Sequence, residues 1–206
     1  MGYRLSTMNL VNRHKIIGVV RDSSQAVAEQ RLEAYLDGGV RLIEMTSTTP
    51  GAFQIIEKYK EKYGDEIVIG TGTTLDPVTA RLGFLAGADF ASAPSFSRGV
   101  AEMCGLYNKV YMAGCFSSTE ITEAMRCGVD IIKIYPCDAY PLNAVKVMMV
   151  MLNGANIIPA GDVSRESVRQ WIDIGVFAVG LNTTTEDMEL AREQTKAFLA
   201  AANIQP

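Results

Sequence analysis

Eight short runs rich in β-branched residues begin 20 to 26 residues apart, at 16–20, 41–45, 67–69, 90–93, 110–113, 130–135, 156–158 and 177–179. Segments of helical period lie between them, clearest at 26–36, 52–63, 78–86 and 167–174. Strand followed by helix at this interval is the pattern of a parallel sheet. Runs apolar on both faces suit strands covered by helices outside and by core inside. Eight evenly spaced units favour closure into a (β/α)8 TIM barrel, an α/β fold expected to span residues 1–206 as one domain. Residues 5–14 read as a short N-terminal helix closing the bottom of the barrel. The alternative is an open doubly wound sheet with another strand order. The first strand, however, leads into Val20-Arg21-Asp22-Ser23, not into the Gly-x-Gly-x-x-Gly turn of a dinucleotide site.

Local signals agree with this frame. Asp37-Gly38-Gly39-Val40, Ala86-Gly87-Ala88-Asp89, Cys127-Gly128-Val129-Asp130 and Ile174-Gly175-Val176-Phe177 repeat one helix-to-strand turn, with glycine in the left-handed conformation after the helix. Asp22-Ser23-Ser24, Thr49-Pro50, Asp76-Pro77, Ser117 with Glu120, and 162–166 offer capping oxygens before helices.

Composition removes several function classes. A formal charge of −4 without a Lys/Arg cluster excludes a nucleic-acid partner, whose phosphates need a basic face. The longest apolar stretch, 145–152, contains Lys146 and ends in Asn153-Gly154, so no membrane span is expected. No apolar leader occupies residues 1–12, and a cytoplasmic protein is expected. Cys104, Cys115, Cys127 and Cys137 form no Cys-x-x-Cys pair, and His14 is the sole histidine. A metal site is therefore not expected, and the cysteines read as buried free thiols.

In such a barrel the chemistry sits at the C-terminal ends of the strands. Lys133 stands in the otherwise apolar Asp130-Ile131-Ile132-Lys133-Ile134-Tyr135-Pro136. Desolvation there favours the neutral amine, which can form a Schiff base with a ketone. The structural alternative is a lysine that reaches the rim or pairs with a carboxylate. Glu44, in Arg41-Leu42-Ile43-Glu44-Met45-Thr46, shares its face with Leu42 and Thr46. It can move protons next to an imine, or form a salt bridge with Arg21 or Lys133. Arg21, closing the first strand, can clamp a carboxylate with two parallel hydrogen bonds or lie on the surface. Arg41, at the opposite end of its strand, reads as structural.

The third loop, Gly70-Thr71-Gly72-Thr73-Thr74-Leu75-Asp76-Pro77, offers close backbone approach and hydroxyls, while Ser92, Pro94 and Ser95 line the fourth. The seventh and eighth loops, where barrels bind anions, read Pro159-Ala160-Gly161-Asp162-Val163 and Gly180-Leu181-Asn182-Thr183. Gly161 and Gly180 fit a phosphate cradle. Asp162 opposes one, unless it only caps the seventh helix.

Three segments together resemble the KDPG/KHG aldolase family, the class I aldolases of 2-keto-3-deoxy-6-phosphogluconate and 4-hydroxy-2-oxoglutarate. They are Gly38-Gly39-Val40-Arg41-Leu42-Ile43-Glu44-Met45-Thr46, Gly72-Thr73-Thr74-Leu75-Asp76-Pro77 and Ile132-Lys133-Ile134-Tyr135-Pro136. The resemblance implies a homotrimeric barrel in which Lys133 forms an imine with pyruvate. Glu44 would act as acid and base through a bound water, with Thr73 near the pyruvyl group, a small 2-oxo acid as substrate, and neither metal nor organic cofactor. The chain departs from the family at Thr48, where members carry an arginine whose charge Arg21 is expected to replace. It departs again at Pro159-Ala160-Gly161-Asp162, at Leu181-Asn182, and at Cys137-Asp138-Ala139-Tyr140-Pro141. These departures leave a pyruvate-forming cleavage intact and weaken the expectation of a phosphorylated substrate. A phosphosugar isomerase or epimerase that uses Glu44 without an imine, and a non-catalytic binding or structural barrel, remain as other readings.

Overall fold

The computed structural model describes residues 3–152 and 154–204; the expected limits at 1 and 206, and Asn153 at the end of the apolar stretch 145–152, lie outside the described residues. The elements run α1 (Tyr3–His14), β1 (Ile16–Val20), α2 (Gln25–Asp37), β2 (Leu42–Thr46), α3 (Ala52–Tyr63), β3 (Val68–Gly72), α4 (Pro77–Leu85) and β4 (Phe90–Ala93). They continue with α5 (Arg98–Leu106), β5 (Val110–Cys115), α6 (Ser118–Arg126), β6 (Ile131–Ile134), α7 (Leu142–Met151), β7 (Ile157–Pro159), α8 (Val168–Asp173), β8 (Val179–Leu181) and α9 (Met188–Ala202).

The strands pair in parallel in the order β7-β6-β5-β4-β3-β2-β1-β8. That sequential order is a TIM barrel's and rules out the open doubly wound arrangement. Between β7 and β8 the seam is tied by the Phe177 N–H, which donates to the Ile157 carbonyl at 2.8 Å. The strand β8 itself begins at Val179, two residues later than the start of its apolar run. Conversely, β3 runs on through Gly70-Thr71-Gly72, which the glycines had suggested to be loop. Thr71 is buried there against α4, where a Cβ on Gly83 would lie 2.5 Å from its methyl.

Alternation along each strand sorts the core into two clusters. Ile17, Leu42, Val68, Phe90, Val110, Met112, Ile131 and Ile158 point inward and fill the barrel, and Met8, Leu10 and Val11 of α1 pack beneath them. The other faces, with Ile43, Met45, Ile69 and Ile132, meet Leu32, Ile55, Ile56 and Ile121 of the helices. Each fully buried aliphatic side chain stabilises the fold by about 1.5–3 kcal/mol. Tyr3 donates to Asp89, and Arg4 pairs with Asp130 at 2.7 Å, so α1 closes the bottom as expected.

Most end signals hold. Gly39, Gly87, Gly128 and Gly175 take positive φ of 104°, 96°, 73° and 90°. Ser24 and Asp76 cap α2 and α4, and Ser117 with Glu120 forms a complete capping box on α6. Two signals fail. Thr49 is buried and shares a hydrogen bond with Thr46 at 2.9 Å, leaving Gly51 as the uncapped start of α3. Asp162 does not cap α8, which begins only at Val168; Ser164 and Ser167 instead bond each other's backbone in the turn before it.

Candidate active site

A cavity of about 690 Å³ opens at the C-terminal ends of the strands. Arg21, Glu44, Thr73, Pro94, Lys133, Gly161 and Gly180, drawn from loops and strands all around the barrel, line it together. Small inward residues create the room. A Cβ on Gly72 would lie 2.6 Å from Glu44 Oε1, and one on Gly114 would lie 2.0 Å from the Pro94 carbonyl oxygen. Ile17, Met112 and Ile158 form the apolar floor.

On that floor stands a buried polar group of three. Lys133 Nζ donates to Glu44 Oε2 at 2.9 Å and Oε1 at 3.1 Å, and to Ser92 Oγ at 2.8 Å. Ser92 Oγ donates in turn to Glu44 Oε2 at 2.9 Å. Lys133 is 8% and Glu44 5% exposed. Taking an ammonium and a carboxylate out of water costs several kcal/mol for each, and their attraction offsets this only when the remaining hydrogen bonds are made. Here all three ammonium protons have acceptors. An apolar pair would fill the same space without that cost, so stability alone does not account for a buried ion pair facing an open cavity.

Arg21 approaches from the rim. Its guanidinium donates to Thr48 Oγ1 at 3.0 Å and to Thr73 Oγ1 at 2.8 Å. It thereby crosses from β1 to the ends of β2 and β3, and its charge reaches Thr48. The Glu44–Arg21 salt bridge considered from sequence is not formed; Glu44 pairs with Lys133. Thr73 takes φ 54°, a region a β-branched residue enters only under constraint. Ser47 donates to its carbonyl at 3.2 Å, helping to hold it there. Arg41 is structural, its Nη1 closing the α2–β2 turn on the carbonyls of Leu36 and Val40.

The segments after β6, β7 and β8 add Tyr135, Asp162, Asn182 and Thr184 to the lining. Among the described lining residues the cations are Arg21, which follows β1 beside β8, and Lys133 of β6, beside β7. Asp162 is exposed, and among the described residues none donates a hydrogen bond to its carboxylate.

The first and eighth loops are locked by a buried arginine that sequence reading passed over. Arg31 of α2 makes two parallel bonds to Asp22, both 2.8 Å, and its Nη1 reaches the carbonyls of Thr183 and Thr185, both at 3.0 Å. Tyr35, one turn on, accepts from the Thr183 N–H at 3.0 Å and donates to the Val19 carbonyl at 3.2 Å. Arg21 and Asn182 are thus each the immediate neighbour of a residue held by this latch.

Ser92 was placed in a loop with Pro94 and Ser95, whereas it sits inside β4 and does not line the cavity. The signal that singled out Lys133, a polar residue within an apolar strand, was equally present in Phe90-Ala91-Ser92-Ala93. Among the described residues no three His, Cys, Asp or Glu side chains converge as a metal would need. Cys104, Cys115 and Cys137 are buried, and burial pushes their thiols up to about 12, 12 and 11; Cys127 is half-buried. Among the described residues no helix is long and apolar enough to cross a membrane.

Comparison with known proteins adds the family. The family model for KDPG and KHG aldolase matches residues 7–199. The 2-dehydro-3-deoxy-6-phosphogalactonate aldolase of Escherichia coli K12 is 26% identical over 191 residues, 90% of this chain and 93% of its own. A solved native KDPGal structure is 26% identical with a TM-score of 0.85, covering 91% of this chain and 94% of that one. The KDPG aldolase of Legionella pneumophila, solved with pyruvate captured as a covalent carbinolamine, shares the fold at a TM-score of 0.83 and 20% identity, over 97% and 98% of the two chains.

Proposed function

This chain belongs to the KDPG and KHG aldolase family of carbon–carbon lyases, and from that premise we propose that Lys133 is its imine-forming residue, Glu44 its acid and base, and Arg21 with Thr73 its carboxylate site. The observation that carries the proposal is the Lys133 amine, buried against Glu44 at the floor of the cavity at the C-terminal ends of the strands. Family membership supports a class I aldolase acting on a 4-hydroxy-2-oxo acid. An isomerase without an imine would leave the desolvated lysine without a purpose.

The chemistry follows from the contacts. Lys133 gives a proton to Glu44, and the neutral amine adds to the C2 carbonyl to form a carbinolamine. Glu44 returns that proton to the departing hydroxide, leaving an iminium ion and a carboxylate. The carboxylate then takes the proton of the C4 hydroxyl while the C3–C4 bond breaks, its electrons passing into the enamine and an aldehyde leaving. Glu44 reprotonates C3, and water releases pyruvate and restores the ammonium. Arg21 holds the substrate carboxylate beside C2, and Pro94, Gly161 and Gly180 shape the walls around the chain.

The Escherichia coli relative is, by name, an aldolase of a phosphorylated sugar acid. The loops after β7 and β8, with Asp162, Asn182 and Thr184 lining this cavity, favour an uncharged, hydroxylated tail instead. The test of the imine is incubation with pyruvate and borohydride followed by peptide mapping. The adduct is expected on Lys133; an adduct on Lys15 or Lys146, or no adduct, overturns the assignment.

A further inference from the structure

The Lys133–Glu44 pair has a third partner that a substrate in the cavity does not reach. Ser92 is fully buried on the inward face of β4, between Phe90 and Pro94 and in register with Met112 of β5. A hydroxyl buried among apolar groups is retained only if its bonds are made. Here both are made to the two reactive groups: the oxygen accepts from Lys133 at 2.8 Å and its proton goes to Glu44 Oε2 at 2.9 Å.

We propose that Ser92 is a positioning residue that holds Glu44 through the part of the cycle in which Lys133 no longer can. The proposal rests on the imine reading above. In the resting pair Glu44 accepts three hydrogen bonds, two from Lys133 and one from Ser92. An ammonium has three protons, but an iminium nitrogen has one and an enamine nitrogen is also bonded to substrate carbon. Once the imine forms, the lysine cannot keep both bonds to the carboxylate. The carboxylate is therefore least held when it must meet the C4 hydroxyl and then C3. Rotation about the last torsion of a glutamate is soft, so no intrinsic rotamer preference replaces the lost bonds. The Ser92 bond does not involve lysine protons and survives the change. It anchors Oε2 and leaves Oε1, the oxygen lying over Gly72, as the one free to act on substrate.

Three rates measured on the same full-length protein separate this role from the others. Borohydride trapping with pyruvate reports the imine. Uptake of solvent deuterium into the pyruvate methyl group reports proton transfer alone, and cleavage of a 4-hydroxy-2-oxo acid reports the whole cycle. Ser92→Ala is expected to trap pyruvate within about threefold of the parent and to keep KM within about threefold. Its deuterium exchange and kcat should both fall about 10- to 100-fold, the range for a proton carrier out of place by an ångström or less. Regained exchange in Ser92→Thr assigns the effect to the hydroxyl. If the alanine variant does not fold, Ser92→Cys fills the space with a weak donor and supplies the same comparison. Exchange within threefold of the parent in a folded variant overturns the proposal. So does an equal loss of trapping, exchange and cleavage, which marks general damage to packing. Failure of the parent protein itself to trap pyruvate instead overturns the imine reading, and this role with it.

Discussion

Lys133 and Glu44 were legible as single letters because each interrupts an apolar strand, and an ionisable group there is costly enough to need a reason. What one residue cannot disclose is its partner. The sequence placed Arg21 and Lys133 equally near Glu44, and only the folded barrel decides: Lys133 bonds Glu44 across it, while Arg21 is taken by Thr48 and Thr73. Separate substitutions distinguish the roles of the pair. Lys133→Ala should abolish cleavage, not merely raise KM, because the covalent route is gone. Glu44→Gln should remain folded, since an amide oxygen can still accept from Lys133 and Ser92, and it should still trap pyruvate. Its kcat should fall by roughly 10² to 10⁴, the span usual for lost acid–base help. Steady-state kinetics on both variants decide this, and Glu44→Gln turnover within about threefold of the parent would show the carboxylate to be structural.

At the level of elements, strand number, order and approximate positions were readable because eight apolar runs each had to be buried on both faces. Strand ends were less so. Glycine in Gly70-Thr71-Gly72 looked like a turn, yet β3 needs small residues there to clear Phe90 and Glu44. The latch between the first and eighth loops was not legible at all, because Arg31 lies in an ordinary helical stretch and its partners are 152 and 154 residues away. Its energetics can be measured. Arg31→Met would leave the Asp22 carboxylate and two carbonyls buried without donors, a loss of about 3–5 kcal/mol for a broken buried pair. For a chain of this size that lowers Tm by roughly 6–20 °C. Because Asp22 follows Arg21 directly, the same variant should raise KM more than it lowers kcat. Calorimetry with steady-state kinetics checks both, and an unchanged Tm would show that solvent replaces the latch.

The whole molecule presents two surfaces whose chemistry points outward. Along α4 and the turn before it, Leu75, Val78, Leu82 and Leu85 are 58%, 66%, 47% and 65% exposed and recur at helical spacing. Such a stripe is often an interaction site, and the homotrimer that the family resemblance implies is proposed, not shown; sedimentation is expected to give three chains per particle, and a clean monomer would contradict this. The other surface is the part of the cavity wall formed by the loops after β7 and β8. A phosphate bound there would face Asp162, and two unit charges about 5 Å apart oppose each other by roughly 3 kcal/mol at an effective dielectric of about 20. The usual relief, backbone N–H groups at a helix start, is displaced, because α8 begins six residues after Asp162 at Val168. The lysine and arginine among the described lining residues, Lys133 and Arg21, are already engaged, with Glu44 and Ser92 and with Thr48 and Thr73. A carboxylate beside Asn182 and Thr184 can instead accept from the hydroxyls of a sugar-acid tail. We therefore expect the unphosphorylated 2-keto-3-deoxy acid to compete closely in kcat/KM with 2-keto-3-deoxy-6-phosphogluconate. Replacing Asp162 with Gly should shift the ratio toward the phosphorylated substrate by about 10- to 100-fold, the larger part of that 3 kcal/mol at about 1.4 kcal/mol per tenfold. A parent enzyme preferring the phosphorylated acid by a thousandfold, about 4 kcal/mol of transition-state discrimination, would mean that Asp162 turns away from the tail and that its charge does not govern selection.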